Sequence, residues 1–182
     1  ANAYEAWIAP AGSKDIVYLM PGNAPKQPEE SEDECASVFP AWVEECLKVA
    51  DKFGGLFGIT AFNPMGQDTA HEANLQQNEL LEADIKKLCQ EVEGTYWRSF
   101  GFSKDWHEKG FAVAAPQDKV IKLAKKYNQG AVYRFYRAEG CGAAFMRATL
   151  PAMLSDTEAD VPVMPCSQPQ IDKADPNWTP VE

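Results

Sequence analysis

The segment Gly58-Ile59-Thr60-Ala61-Phe62-Asn63-Pro64-Met65-Gly66 sets the tightest limit on the fold. It reads as a buried strand that ends on an Asn-Pro turn, because such a pair favours turn geometry over continuation of a strand. The chain then restarts as a helix in which Asn74, Asn78, Leu81, Ile85, Leu88 and Val92 step by four and three, so that all six share one face. Two amides therefore head an otherwise apolar, core-facing stripe. A buried amide without a partner costs about 1–3 kcal/mol, so Asn74 and Asn78 are expected either to brace the Asn63-Pro64 corner or to line a pocket beneath it.

The elements around this corner follow from pattern and punctuation. Pro40 suits the first turn of a helix, whose apolar face is Trp42, Cys46, Val49, Ala50 and Phe53 and which Gly54-Gly55 stops. Leu56–Phe62 is a strand, and Thr69 with Glu72 makes a capping box for a helix running to Val92. Thr95–Gly101 and Gly110–Ala115 predict a hairpin across the charged loop 103–109, Gln117–Tyr127 a third helix, and Val132–Arg137 with Ala143–Thr149 two further strands. From residue 56 this order predicts an α+β fold: a ferredoxin-like β-α-β-β-α-β arrangement plus an added strand, with two or three helices packed on a mainly antiparallel sheet. Residues 1–36, with four prolines, one short strand at Ile16–Met20 and the acidic run 29–34, are expected to form an extended arm. Residues 37–150 are expected to form the single domain, and 151–182 a Pro-rich tail.

Composition narrows the function classes. The 182 residues carry a formal net charge of −10, which opposes general nucleic-acid binding. Residues 98–147 reverse that bias, with ten Lys/Arg against four Asp/Glu, and Lys119, Lys122 and Lys126 share a helix face that a solvated surface explains without phosphate contact. No apolar run approaches the ~20 residues of a spanning helix, so contact with a membrane is expected to be peripheral at most. The five cysteines make no CxxC pair, and Cys46 and Cys89 fall on apolar helix stripes as small core residues. With only His71 and His107, neither followed by a second histidine at zincin spacing, no metal site is expected, and no cofactor is indicated. The opening Ala1-Asn2-Ala3, without a methionine, sets the expectation that a targeting segment has been removed and that the protein is organellar, with a plastid as one setting.

Three ordered blocks, GITAFNPMGQDTAHEANLQQNELLEADI, YWRSFGFSKDWHEKGFAV and AKKYNQGAVYRF, together resemble domain-of-unknown-function family 3293, which consists mostly of short bacterial proteins. The family pattern falls here on Thr60 to Pro64, on Glu72 and Asn74, on Phe100-Gly101, on Glu108 with Phe111 and Val113, and on Gln129. The resemblance covers roughly residues 56–137. It has no counterpart for the acidic arm or the Pro-rich tail, and it implies no settled activity.

The candidate polar site is Thr60, Asn63, Asn74, Asn78, Arg98, Glu108 and Gln129, with Glu108 as the plausible general base. A corner-bracing hydrogen-bond network uses the same residues. The lack of a Ser-His-Asp or Cys-His order, a phosphate-binding glycine loop or metal-ligand spacing favours bracing. Two functions remain open. One is a non-catalytic accessory or linker subunit of a larger assembly, in its most specific form an algal photosystem supercomplex, binding protein partners through 1–36 and 151–182. The other is a small-molecule-binding protein or enzyme acting at the Thr60–Asn63 corner.

Overall fold

The structure, a computed structural model, describes residues 3–10, 12–22, 39–103, 106–139 and 145–166. Eight strands occur in it: β1 (Tyr4–Ile8), β2 (Ile16–Pro21), β3 (Leu56–Thr60), β4 (Thr95–Phe102), β5 (His107–Ala114), β6 (Ala131–Arg137), β7 (Phe145–Pro151) and β8 (Val161–Cys166). The helices are α1 (Ala41–Asp51), α2 (His71–Val92) and α3 (Gln117–Lys126), with a short 3-10 turn at Pro64–Gly66. The strands form a closed antiparallel barrel in the order β1-β2-β8-β7-β6-β3-β5-β4, with β4 paired back to β1.

This corrects the ferredoxin-like expectation. The stretch β3-α2-β4-β5-α3-β6 is present, and each of its β-α-β units is split: β5 lies between β3 and β4, and β3 lies between β5 and β6. The sheet does not stay open, because both edges of that four-stranded unit find partners. β1 covers β4 through register pairs from Tyr4↔Phe102 to Trp7↔Ser99, and β7 covers β6 from Ala131↔Pro151 to Arg137↔Phe145. β8 and β2 join the two additions, so no edge is left to aggregate or to require a cover.

The boundaries expected at 36/37 and 150/151 therefore cut through the barrel. Residues 4–21 supply β1 and β2, and residues 161–166 supply β8. β8 carries Pro162 and Pro165, which ordinarily argue against an internal strand because each removes a ladder donor. It is tolerated because its ladders are short, four register pairs with β2 and three with β7, and because Pro162 keeps its carbonyl oxygen as the acceptor for the Gly22 N–H at 2.9 Å. The acidic run 29–34 and the tail from 167 lie outside the described residues.

Strand periodicity divides the apolar side chains into an inner and an outer core. Inside, Trp7, Leu19, Leu56, Trp97, Phe135 and Phe145 pack against Val43, Cys46, Leu47 and Ala50 of α1, which closes the end of the barrel where β3 begins. Outside, Phe57, Ile59, Phe111 and Val113 meet Leu81, Ile85 and Leu88 of α2 and Val120 and Ala124 of α3. Both faces of β3 and of β5 from Gly110 onward are thus largely buried, which explains why these two strands read most plainly from sequence. Cys46 and Cys89 are buried and free, as their stripes predict. No helix among the described residues is long and apolar enough to cross a membrane.

Because β1 and β2 contribute Trp7, Val17 and Leu19 to the inner core, deleting residues 1–21 should abolish the cooperative thermal transition of the whole protein, not trim a dispensable arm. Circular dichroism melts of the full chain and the deletion check this; a deletion that melts cooperatively near the parent temperature contradicts it.

Candidate functional site

The inner face of the barrel is unevenly filled. Registers place Trp7, Leu56, Trp97, Phe135 and Phe145 in the half nearest α1, and Thr60, Ser99, Gly101, Gly110 and Gly58 in the other half. Large residues plug one end and small residues hollow the other, leaving a cavity of about 430 Å³. Glycine inside a strand is otherwise unfavourable and commonly marks a close backbone approach. Gly110 shows why: a Cβ there would lie 2.5 Å from the Ile59 carbonyl oxygen on β3. Gly101 is different, because its missing side chain leaves room that Glu5 and Trp106 occupy. A Cβ there would come 3.1 Å from Glu5 Oε1 and 3.4 Å from the Trp106 ring.

Two carboxyls share this space. Glu5 pairs with Gly101, and Gly101 pairs with Glu108, so the glutamates project inward from one rung, two strands apart, with only a glycine between them. At ~4.8 Å per strand their backbones stand roughly 10 Å apart, close enough for the side chains to converge. Glu5 is 5% exposed and no hydrogen-bond partner reaches its carboxyl among the described residues. Burial pushes its pKa up to about 8, against a smaller opposing pull from Arg147 and with a further push from Glu108. Glu108 is also raised, again by burial first, and is partly held in its ionised form by the Asn63 amide, which donates to Oε1 at 3.3 Å. Arg147, 5% exposed, lies with its guanidinium 4.4 Å from the centroid of the Tyr133 ring, and its Nε has no partner among the described residues. Burial raises the Tyr133 hydroxyl pKa, and Arg147 opposes that shift.

The seven residues singled out from sequence separate into three groups. Asn74 and Asn78 brace the corner. Asn74, 4% exposed, accepts the Asn63 N–H at 2.9 Å and donates to Asn63 Oδ1 at 2.9 Å and to the Thr69 carbonyl at 3.2 Å; Asn78, 8% exposed, accepts the Ala61 N–H at 3.3 Å. Thr60, Asn63, Glu108 and Gln129 line the cavity. Thr60 donates to the Lys109 carbonyl at 2.6 Å and accepts from the Phe62 N–H, while Gln129 donates to the carbonyls of Phe62 and Tyr127. Arg98 belongs to neither group: it lies between the inward Trp97 and Ser99, faces outward, and stands 3.9 Å from Glu82 on α2. The capping box also does not form. α2 starts at His71 without a side-chain cap, and the Thr69 hydroxyl donates to the Gln67 carbonyl.

Sequence reasoning missed Glu5, Ser99, Gly101, Tyr133 and Arg147. A signal existed in the intra-strand glycines at 58, 101 and 110. The corner itself bends through left-handed backbone at Asn63 (φ 44°) and Met65 (φ 54°), the latter held by its N–H to the Asn128 carbonyl at 2.8 Å. Asparagine accepts that conformation readily and methionine does not, and the outcome is a Met65 side chain left 43% exposed at the cavity rim.

Two measurements check this geometry. Asn74→Leu strips the Asn63 N–H of its acceptor and should lower stability by about 1–3 kcal/mol in urea unfolding; an unchanged midpoint contradicts the bracing role. Glu5 has a folded pKa near 8 against an ordinary value of 4.5, so the unfolded chain releases its proton first as pH rises. The stability of the wild type relative to Glu5→Gln should therefore fall between those two values, at up to about 1.4 kcal/mol per pH unit, and level off above them. Parallel pH dependences for the two proteins would contradict a buried, protonated Glu5.

No curated protein and no solved structure gives a match to the chain. The model of a family described as protein of unknown function (DUF3293) matches residues 59–132. That span takes in the corner, α2, β4, β5 and α3, including Gly101, Glu108 and Gln129, and stops short of Glu5 and Arg147. The match overlaps all three sequence blocks that resemble this family, and strands outside it complete the barrel.

Proposed function

We propose that this protein binds a small organic molecule in the open half of its barrel. The observation that carries the reading is the pair Glu5 and Glu108, set on one interior rung with Gly101 between them, in a cavity whose size falls within the range of small-molecule sites. Their environments differ. Glu5 is held neutral at pH 7 and can donate a hydrogen bond or a proton, whereas Glu108, supported by the Asn63 amide, is the better acceptor. Such a pair can orient a polar ligand, and it has the parts for general acid–base chemistry on one. The corner serves this site from behind: Asn74 fixes Asn63, Asn78 fixes Ala61 two residues before it, and Asn63 fixes Glu108.

The alternative of a non-catalytic accessory or linker subunit, organellar and in its narrowest form plastid, draws its support from the composition of residues 23–38 and 167–182. Those segments lie outside the described residues, and nothing in the barrel favours that reading over the cavity.

Gly101→Val provides the test. Valine suits a strand, Gly101 has no positive-φ requirement, and the atoms it would press are side-chain atoms of Glu5 and Trp106. The variant should melt within a few degrees of the parent and lose the signals that small polar fragments give with the wild type in saturation-transfer NMR. Identical fragment signals from both proteins would contradict binding in the barrel.

A further inference from the structure

Resting on the cavity reading above, we infer that the ligand is a small organic ammonium ion, taken up in exchange for the proton carried by Glu5. Three observations converge on this. First, the only charged side chains lining the cavity, among the described residues, are carboxyls: Glu5 and Glu108. An anionic ligand would have to sit against Glu108 with no lysine, arginine or histidine on the wall to meet it.

Second, Glu5 is a polar side chain about 95% buried, aimed over Gly101 into the cavity, with no hydrogen-bond partner among the described residues. A buried carboxyl in that condition gains most from a positive charge or a donor that arrives with the ligand. The groups acting on it are Glu108 from β5 and Arg147 from β7, with Tyr133 of β6 between Arg147 and the cavity. With Glu5 neutral before a ligand enters, entry of one monovalent cation adds a charge that loss of one proton from Glu5 cancels. In a low-dielectric interior a charge left unbalanced is expensive, so cation entry and proton exit are coupled.

Third, the rim is apolar. Met65, Trp106 and Leu154 are 43%, 39% and 47% exposed, and all three line the cavity mouth. The Trp106 ring stands over Gly101, beside Glu5, where an indole face attracts a cation. The rim therefore suits the hydrocarbon part of an amphipathic amine, with the charged end directed inward. A bare metal ion fits less well, since no three His, Cys, Asp or Glu side chains come together among the described residues.

The experiment is calorimetric titration of the full chain with phenethyltrimethylammonium, whose charge does not titrate, alongside 2-phenylethanol and phenylacetate as neutral and anionic counterparts. The ammonium should bind at least about tenfold more tightly than either. Comparison of buffers with different ionisation heats should show close to one proton released near pH 6.5, falling toward none above about pH 9 as Glu5 ionises unaided. Wild-type affinity should rise by up to about tenfold per pH unit between about pH 6 and 8. Glu5→Gln, which has no proton to give up, should bind the ammonium more weakly than the wild type at about pH 8, without that slope and without proton release, and Glu108→Gln should weaken binding at every pH. Equal binding of the neutral or anionic probe, or ammonium binding by the wild type with no proton released, overturns the cation exchange and leaves the cavity reading standing. Failure of all three probes to bind overturns both.

Discussion

A strand buried in a sheet needs a hydrogen-bonded neighbour on each side, and in this protein the pairing of β1 with β4 supplies the last missing one. Without it, β4 would present the unpaired edge of an eight-residue strand, and the inner faces of β3, β4 and β5 would have no opposite wall. With it, the sheet curls until Trp7 lies edge-on to Phe135 at 5.3 Å and Phe145 stacks on Phe135 at 6.2 Å. The interior then becomes a second core distinct from the one beneath α2 and α3. Closure is thus what turns a four-stranded α+β unit into a container, since only a closed sheet has an inside.

What the container holds follows from the sizes of the side chains that face inward. Aromatic residues and α1 fill one end. At the other, Gly58, Gly101 and Gly110, with Ser99 and Thr60, withhold the volume needed to fill the space, so polar groups on the facing strands meet across a gap. Glu5 lies there in a dielectric low enough that the charges of Arg147 and Glu108 both act on its protonation. The same dehydration that raises the Glu5 carboxyl also leaves the Arg147 Nε and the indole N–H groups of Trp7 and Trp97 without partners among the described residues. Burial of this kind lowers stability, and it is concentrated along one wall and floor of the barrel, around the candidate site.

The corner and the cavity show how differently two parts of one site can be read from a sequence. The six-residue stripe from Asn74 to Val92 specifies a helix face by local periodicity, and the cost of an unpaired amide requires that Asn74 and Asn78 find partners nearby, which they do at residues 61 and 63. Glu108 and Gln129 reach the same neighbourhood because the split arrangement of β3, β5 and β6 brings them there. Strand alternation alone does not say which face of β4 is inward, and Arg98 lies on the outward one, beside Glu82. One residue of phase separates it from Ser99, which does line the cavity.

The sequence by itself determined the local elements from α1 to β7, the need of the two asparagines for nearby partners, and the buried cysteines at 46 and 89, because each depends on periodicity or on the pairing needs of neighbouring groups. Only the tertiary structure decided that the sheet closes, that Tyr4–Ile8 and Val161–Cys166 are strands of it, and that Glu5 faces Glu108 across Gly101. β1 has five residues and β8 carries two prolines, so neither has a propensity that would mark it as a strand in isolation. Each is stabilised by partners remote in sequence, and a carboxyl pair contributed by residues 5 and 108 exists only once those long-range ladders have formed.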